Sequence, residues 1–153
     1  MTDDNVRRVT LTRLHRGRYE ATNAKGATLV LGSGQDDAFS PVELFLAGIA
    51  GCSAIDVDFI TSRRAEATRF EVTMTGTPVR DDSGNRLADL RLTFDIAFPE
   101  DESGTAAREV LPMSVSRSHD RLCTVSRTVE AGTPINVEIL ERPPGRPQGE
   151  WTG

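Results

Sequence analysis

The chain has 153 residues, and 18 basic against 23 acidic side chains give a net charge of −5. This length predicts one domain with a core large enough to fold without a metal or a disulfide. The acidic balance argues against a nucleic-acid footprint or a membrane-surface patch, and two histidines are too few for a three-histidine zinc site, so we expect small molecules or proteins as partners.

The first part of the chain predicts a small antiparallel sheet. Residues 1–5 are acidic and polar, and lack the basic and apolar regions of a secretory signal, so we expect a cytoplasmic protein. Residues 6–14, 18–22 and 27–31 alternate in polarity and are rich in β-branched side chains, which favours three strands. A turn at residues 23–26 separates the last two.

A dense helix-start signal follows the sheet. Ser40 suits the N-cap, Pro41 the first helical position, and Glu43 completes a capping box, so the helix is predicted to begin at Pro41 and run to about residue 64. Its middle, residues 47–54, carries small residues on every face, which is typical of a central helix enclosed by protein. Cys52 is then expected to be buried near the midpoint. The near-apolar stretch of residues 44–55 is shorter than the roughly 18 residues of a membrane span.

The rest of the chain completes an α+β pattern with antiparallel hairpins. Residues 69–76 and 86–98 alternate on either side of a turn at 81–85, which predicts a hairpin. A helix is expected from about residue 105 to 118, with Pro112 kinking it or ending it early. A short helix at 123–129 and a last strand at 134–140 follow. We therefore predict one domain over 1–141 and a flexible Pro- and Gly-rich tail over 142–153, with Trp151 as a candidate docking point.

The chain has two cysteines, Cys52 and Cys123, which lie 71 residues apart and form no CxxC motif. In a reducing compartment a structural disulfide between them is not expected, which leaves a transient redox couple open. The motifs around them are SPVEL at 40–44, GCSAIDV at 51–57, CTVS at 123–126 and PINV at 134–137. Together these motifs resemble the OsmC/Ohr superfamily of thiol peroxidases, in element order over about residues 10 to 140.

The resemblance implies a fold, a partner and a reaction. The fold is OsmC-like, with antiparallel sheets around two long central helices in an intertwined homodimer whose active sites lie at the subunit interface. The reaction is the reduction of organic hydroperoxides, and more slowly of hydrogen peroxide, in oxidative-stress defence. Cys52 would be the peroxidatic thiol and Cys123 the resolving thiol, with a Cys52–Cys123 disulfide recycled by a dithiol or a lipoylated protein. No cofactor or metal is implied.

A peroxidatic cysteine must be a thiolate, whereas apolar burial raises the pKa of a thiol. Cys52 lies eleven residues beyond Pro41, or roughly 16 Å along the helix, which is too far for the helix dipole to help. A cation from elsewhere in the fold is therefore required. The family supplies an arginine from its N-terminal hairpin, and Arg18 is the best positional match, with Arg16 as the competitor on the same face of a strand.

Glu43 has two interpretations. In the hydroperoxide-resistance branch a glutamate near this point orients the arginine, but there it directly follows the proline, whereas here Val42 intervenes. Nine residues of helix place Glu43 about 180° around the axis from Cys52. Direct contact within one chain is therefore not expected, which favours a role in the helix cap and leaves catalysis as the other interpretation.

Several other residues have both a functional and a structural interpretation. His119 could act as a base for Cys123 or be a solvated loop residue. Asp56 and Asp58 are expected to be solvating groups rather than catalytic ones, since acids beside Cys52 would oppose thiolate formation. Phe45, Ile49 and Phe59 could line an alkyl pocket or belong to the core. The alternative function, from a different class, is a redox-sensing or small-ligand-binding dimer of the same fold that does not turn over.

Overall fold

The computed structural model describes residues 5–140, 142–143 and 145. Five strands and three α-helices follow one another in the order β-β-β-α-β-β-α-α, with a π-helical turn between the last two helices. Their bounds are β1 Val9–His15, β2 Arg18–Asn23, β3 Thr28–Leu31, α1 Pro41–Thr61, β4 Arg69–Asp81, β5 Gly84–Ala97, α2 Glu102–Arg117, the π-helical turn Ser118–Leu122 and α3 Thr124–Glu130. The predicted α+β class is confirmed.

The N-terminal sheet is an antiparallel meander in the order β1-β2-β3, as predicted. Every residue of β1 is exposed, including the apolar side chains of Val9, Leu11 and Leu14. A single parallel bridge between Leu31 and Phe39 leads the chain from β3 to the start of α1. The sheet therefore leaves apolar surface uncovered in the single chain.

Helix α1 begins at Pro41 behind a complete capping box of Ser40 and Glu43, as the sequence predicts. Its buried side chains are spaced every four residues, at Ile49, Ser53, Val57 and Thr61, and this stripe packs on α2, α3 and β4. The expectation of a helix enclosed on every face is wrong for the single chain, because Phe59 is 67% exposed. A stripe of period four covers only one side of a helix.

Residues 44–55, the near-apolar stretch of the sequence, are too few for a membrane span. By length and composition alone, however, the whole of α1 could cross a membrane. This is weak evidence, since the core helix of a soluble domain passes the same test. The packing of its buried stripe on two other helices and a strand is the arrangement of a core helix.

Strands β4 and β5 form one long antiparallel hairpin, and each extends further than its alternating pattern predicted. The register shifts between Thr75 and Thr77, where Asp89 adopts a left-handed backbone conformation (φ 52°). Gly76 lies at this irregularity, and a Cβ there would approach the side chain of Leu90 to 2.8 Å. Because that contact is with the far end of a flexible side chain, a larger residue at position 76 would require the Leu90 side chain to shift.

The interpretation in which Pro112 ends the second helix early is wrong, since α2 runs through it to Arg117. A proline inside a helix removes one backbone hydrogen bond, the one to the carbonyl of Arg108. Both residues are exposed, so water can satisfy that carbonyl. The helix also starts earlier than predicted, because the side chain of Asp101 caps it by accepting from the Gly104 backbone N–H.

The predicted strand at residues 134–140 does not form in this chain. Its alternating apolar side chains, Ile135, Val137 and Ile139, are 88%, 87% and 89% exposed. The alternation correctly describes a segment built for one buried face, but a strand also needs a neighbouring edge to complete its hydrogen bonds. The predicted tail at 142–153 lies almost wholly outside the described residues, as does Trp151.

Candidate active site

The two cysteines, 71 positions apart in sequence, meet where α1 packs on α3. Cys52 is on α1 and is half-buried, and Cys123 immediately precedes α3 and is 0% exposed. The two thiol groups are close enough for each to shift the pKa of the other. The structure therefore brings together the pair that the sequence motifs singled out.

The position of Cys123 is set by the π-helical turn that precedes it. The Cys123 N–H donates to the Ser118 carbonyl oxygen at 2.8 Å, and the chain then becomes extended so that Cys123 serves as the N-cap of α3. The buried Ser118 hydroxyl donates to Oδ2 of Asp56 at 2.8 Å. Since Asp56 is one helical turn beyond Cys52 on α1, this bond fixes the turn against the helix that carries the other thiol.

The sulfur of Cys123 has three polar contacts with two buried serines. Ser53 Oγ donates to Cys123 Sγ at 3.4 Å, the Ser126 N–H donates to it at 3.4 Å, and Cys123 Sγ donates to Ser126 Oγ at 3.2 Å. Serine hydroxyls can act as donor or acceptor. The surroundings of this sulfur can therefore accommodate either a thiol or a thiolate.

The two thiols have opposite pKa shifts. Burial raises the pKa of Cys52 and the neighbouring Cys123 raises it further, against backbone hydrogen bonds from Val125 and Thr124 that lower it. Burial also acts to raise the pKa of Cys123, but hydrogen bonds from Ser126, Ser53 and Cys52 outweigh it, so the pKa of Cys123 is lowered. In the single chain Cys123 is therefore the more acidic of the two thiols.

Arg18, the predicted cation for Cys52, lies elsewhere in this chain. Its Nη1 atom is 3.4 Å from Asp36 and 3.6 Å from Asp37, in the loop before α1. No arginine is among the groups that shift the pKa of Cys52 in the described part of the chain. Arg16, the competing candidate, is exposed. Within one chain the expected thiolate-stabilising cation is thus not brought to Cys52.

Glu43 serves as a helix cap in the structure. Its carboxylate accepts from the Ser40 N–H at 2.8 Å and from Ser40 Oγ at 2.9 Å. These backbone and side-chain hydrogen bonds from Ser40 hold the pKa of Glu43 below its usual value. The helical geometry predicted no direct contact with Cys52, and Glu43 is not among the groups that act on that thiol.

Two adjoining cavities lie beside α1, and together they are called the trough. A cavity of about 660 Å³ lies between the start of α1 and the β4–β5 hairpin and includes Phe45. A second cavity of about 280 Å³ includes Ile49 and Ser126, and the two share Leu90 and Val129. Ser126, which lines the second cavity, also contacts the Cys123 sulfur, whereas neither cysteine lines either cavity. Phe59, the third residue considered for an alkyl pocket, does not line either cavity.

Comparisons with known proteins identify the family of the chain. The family model described as "OsmC-like protein" matches residues 34–138, a segment that contains both cysteines. This chain belongs to the OsmC-like family. An uncharacterised protein of Mycobacterium tuberculosis is 30% identical over 127 residues, which cover 81% of this chain and 89% of the relative.

Solved structures of OsmC-like proteins share the fold. An OsmC-like protein of unknown function from Vibrio cholerae is similar with a TM-score of 0.66 at 12% identity, over 82% of this chain and 94% of the other. A Legionella pneumophila protein described as an organic hydroperoxide resistance protein is similar with a TM-score of 0.55 at 17% identity, over 84% and 91%. At these identities the likeness concerns the fold alone.

Three polar residues at the thiol pair of this OsmC-like chain were missed by the sequence analysis. Asp56 was expected only to solvate the helix, and Ser53 and Ser118 were not singled out. The spacing of Asp56 four residues after Cys52 places it on the same helix face, which was the one available signal. Their partners are separated by 62 residues for Asp56 and 70 for Ser53, and no local pattern specifies contacts at such separations.

His119 is held on the surface of the π-helical turn. Its Nδ1 lies 2.9 Å from Asp120 and its Nε2 lies 3.0 Å from Glu130 on α3. Hydrogen bonds that the ring donates to Asp120 and Glu130 raise the pKa of His119. Both ring nitrogens are engaged by carboxylates, so the side chain is placed to join the turn to α3 rather than to act as a base for Cys123. No group of three or more metal-ligating side chains occurs in the described ranges.

The ion pairs of His119 predict a small pH-dependent stability. Because the pKa of His119 is raised on folding, its contribution is fully present below the unfolded value of about 6.5 and is lost as the pH rises through the folded pKa. We expect His119→Gln to lower the free energy of unfolding by less than about 1 kcal/mol at low pH, since the pairs are exposed, and by less still at about pH 8.5. Urea denaturation across this pH range measures the difference.

The matched variant is Glu130→Gln, which removes one carboxylate partner of His119. In this background, the effect of His119→Gln on the free energy of unfolding should differ less between low pH and high pH. An equal effect of His119→Gln at all pH values would contradict the assignment.

Proposed function

We propose that this protein is a thiol peroxidase that reduces organic hydroperoxides with the Cys52 and Cys123 pair. The observation that carries the proposal is the meeting of a half-buried thiol and a fully buried thiol beside Ser126, which also lines a cavity next to α1. A structural pair of cysteines would need neither the polar contacts around Cys123 nor the adjoining cavity. A Legionella pneumophila protein of the same fold is described as an organic hydroperoxide resistance protein, and we extend that activity to this chain.

The reaction assigns a separate step to each thiol. The Cys52 thiolate attacks the terminal oxygen of the hydroperoxide, the O–O bond breaks, and the departing alkoxide takes a proton to become the alcohol. Cys52 is left as a sulfenic acid, which condenses with the Cys123 thiol to form a disulfide and release water. An external dithiol then reduces the disulfide. Cys52 is the peroxide-reactive residue because Cys123 is 0% exposed.

The trough favours peroxides with an alkyl or aryl group over hydrogen peroxide. Its walls include Phe45, Leu90 and Val129, which can bury an apolar substituent, and burial of apolar area contributes about 25 cal/mol per Å². Hydrogen peroxide has no such group. The preference should therefore appear as a lower KM for the organic substrate.

The working form is proposed to be a homodimer. The single chain leaves three apolar surfaces uncovered, namely β1, the outer face of α1 with Ile55 and Phe59, and the segment at 134–140. The last of these alternates in the manner of a strand that has no neighbour in its own chain. A second copy of the chain can supply the missing sheet edge and cover the helix.

The second copy is also proposed to supply the cation that Cys52 lacks. Arg18 is partly exposed in the N-terminal sheet, and its pairs with Asp36 and Asp37 are long. Exposed ion pairs of this kind contribute about 0–1 kcal/mol, so they can be exchanged for a contact with a thiolate at little cost. An arginine beside Cys52 would favour its charged form.

The peroxidase proposal predicts catalytic turnover with cumene hydroperoxide when dihydrolipoamide is the reductant. Cys52→Ser should abolish consumption of the peroxide, because no nucleophile remains. Cys123→Ser should allow one oxidation of Cys52 but no disulfide, which reduces steady-state turnover by at least about tenfold. Peroxide consumption and mass spectrometry of the oxidised protein measure both effects.

The matched control for these variants is Ser114→Ala, which changes a buried serine whose hydroxyl donates only to the Val110 carbonyl oxygen of its own helix. A wild-type protein that forms the disulfide once and is not recycled would instead identify a redox sensor. A wild-type protein whose Cys52 does not react with the peroxide would contradict both.

The dimer proposal predicts a mass in solution of twice the 16.7 kDa of the chain. Val137→Asp should shift the protein towards monomer, because it places a charge on the apolar face of the 134–140 segment. Asn136→Asp is the matched control, since it adds a charge at the adjacent position on the opposite face. Light scattering measures the mass, and a wild-type monomer would contradict the proposal.

The choice between the two arginines is tested by the alkylation of Cys52 in a Cys123→Ser background. Loss of a cation beside a thiolate raises the thiol pKa by about 1–3 units. Arg18→Ala should therefore slow iodoacetamide labelling at neutral pH by about tenfold or more. Arg16→Ala should leave it nearly unchanged. The reverse pattern would assign the role to Arg16, and no effect of either would contradict activation from the N-terminal sheet.

A further inference from the structure

We propose that Ser53 and Ser126 form a cradle that holds the Cys123 sulfur as the leaving thiolate during disulfide reduction, so that the reductant enters at Cys52. This inference rests on the proposed disulfide cycle and assigns the direction of its last step. The cradle is the set of three contacts with the Cys123 sulfur: from Ser53 Oγ at 3.4 Å, from the Ser126 N–H at 3.4 Å and with Ser126 Oγ at 3.2 Å.

The Ser53 hydroxyl is directed at the sulfur rather than at its own helix. Buried hydroxyls on helices commonly donate to the carbonyl four residues back, and two in this chain do so. Thr61 Oγ1 donates to the Val57 carbonyl oxygen at 2.9 Å, and Ser114 Oγ donates to the Val110 carbonyl oxygen at 2.7 Å. Ser53, which is 2% exposed, instead donates across the helix interface to Cys123.

The two sulfurs differ in access. Cys123 is 0% exposed and is enclosed by the two buried serines, whereas Cys52 is half-buried. An external thiolate must approach the sulfur that it attacks from the side opposite the S–S bond. A reductant can meet that requirement at Cys52, whereas the serines and the packed helices occupy the space around Cys123.

The step balances with a dithiol as the reductant. One thiolate of the dithiol attacks Cys52 Sγ, a mixed disulfide forms, and the Cys52–Cys123 bond breaks with its electron pair on Cys123 Sγ. The second thiolate of the dithiol then attacks the other dithiol sulfur, the one bonded to Cys52. A disulfide forms within the dithiol, and Cys52 is released as a thiolate. The dithiol is oxidised by two electrons, and the two cysteines are reduced and regain protons from water.

The cradle affects the rate because a thiol of lower pKa leaves faster in exchange. Hydrogen bonds to an anion stabilise it more than hydrogen bonds to a neutral group. The lowered pKa of Cys123, for which hydrogen bonds from Ser126 and Ser53 outweigh burial, agrees with this role. Ser53 and Ser126 are accordingly positioning residues, since they act through the Cys123 sulfur.

The first arm of the test maps the site of attack. The disulfide is made with diamide, so it does not depend on reaction with a peroxide. The oxidised wild-type protein is then mixed with 2-mercaptoethanol, quenched with acid and analysed by peptide mass spectrometry. The expected adduct is on Cys52 with Cys123 free. An adduct mainly on Cys123 would overturn the proposal.

The second arm measures the leaving group. Ser53→Ala should slow reduction of the diamide-formed disulfide by dithiothreitol by about tenfold, as expected for the loss of one hydrogen bond to a charged group. In a Cys52→Ser background, ultraviolet absorbance of the thiolate should show the apparent pKa of Cys123 rising by about one unit. Ser114→Ala, a buried serine that does not touch the sulfur, should change neither.

These readouts separate the cradle from simple packing and from the peroxidase activity. Ser126→Ala, which keeps the backbone donor and removes the hydroxyl, provides the same comparison if Ser53→Ala does not fold. A Ser53→Ala protein reduced at the wild-type rate, with the Cys123 pKa unchanged, would overturn the cradle while peroxide turnover stands. A wild-type protein inert to hydroperoxides would contradict the proposed function and leave the direction of thiol attack measurable.

Discussion

The placement of the two sulfurs depends on the contact between the π-helical turn and α1, in which the buried Ser118 hydroxyl donates to Asp56. Together with the Ser53–Cys123 contact, this bond fixes Cys123 relative to the helix that carries Cys52. A π-helical turn is a rare and less stable conformation, so it needs external support, and the buried Ser118 hydroxyl provides it. The turn then ends at Cys123, whose backbone N–H closes the last π-type hydrogen bond before the chain enters α3.

The single chain is incomplete in a consistent way. One face of α1 is buried by α2, α3 and β4, while the opposite face, β1 and the 134–140 segment leave apolar side chains in water. Contiguous exposed apolar surface of this kind usually marks an interface. One second copy of the chain would supply both a cation for Cys52 and cover for the exposed face of α1.

The sequence predicted the elements whose signals are local. The capping box at Ser40 gave the start of α1, and the alternating strands of both sheets were recognised from period two. The errors arose where the secondary structure depends on a neighbouring segment or on solvent rather than on the local sequence. Residues 134–140 have a strand pattern but no edge to pair with, and Pro112 is tolerated because its helix position is exposed to water. The Ser53 and Asp56 contacts joined segments too distant in sequence for any pattern to reveal.

The opposite pKa shifts of the two thiols suit disulfide reduction better than peroxide attack. In one chain the more acidic thiol is Cys123, which is buried, and the less acidic one is Cys52, which a peroxide can reach. Attack on a peroxide needs the reverse distribution. If Arg18 of a second copy reverses it, then assembly and activation are coupled, and an unassembled chain keeps its accessible thiol protonated and slow to react with oxidants. The same cradle that draws charge to Cys123 before assembly would then serve it as the leaving group at the end of the cycle.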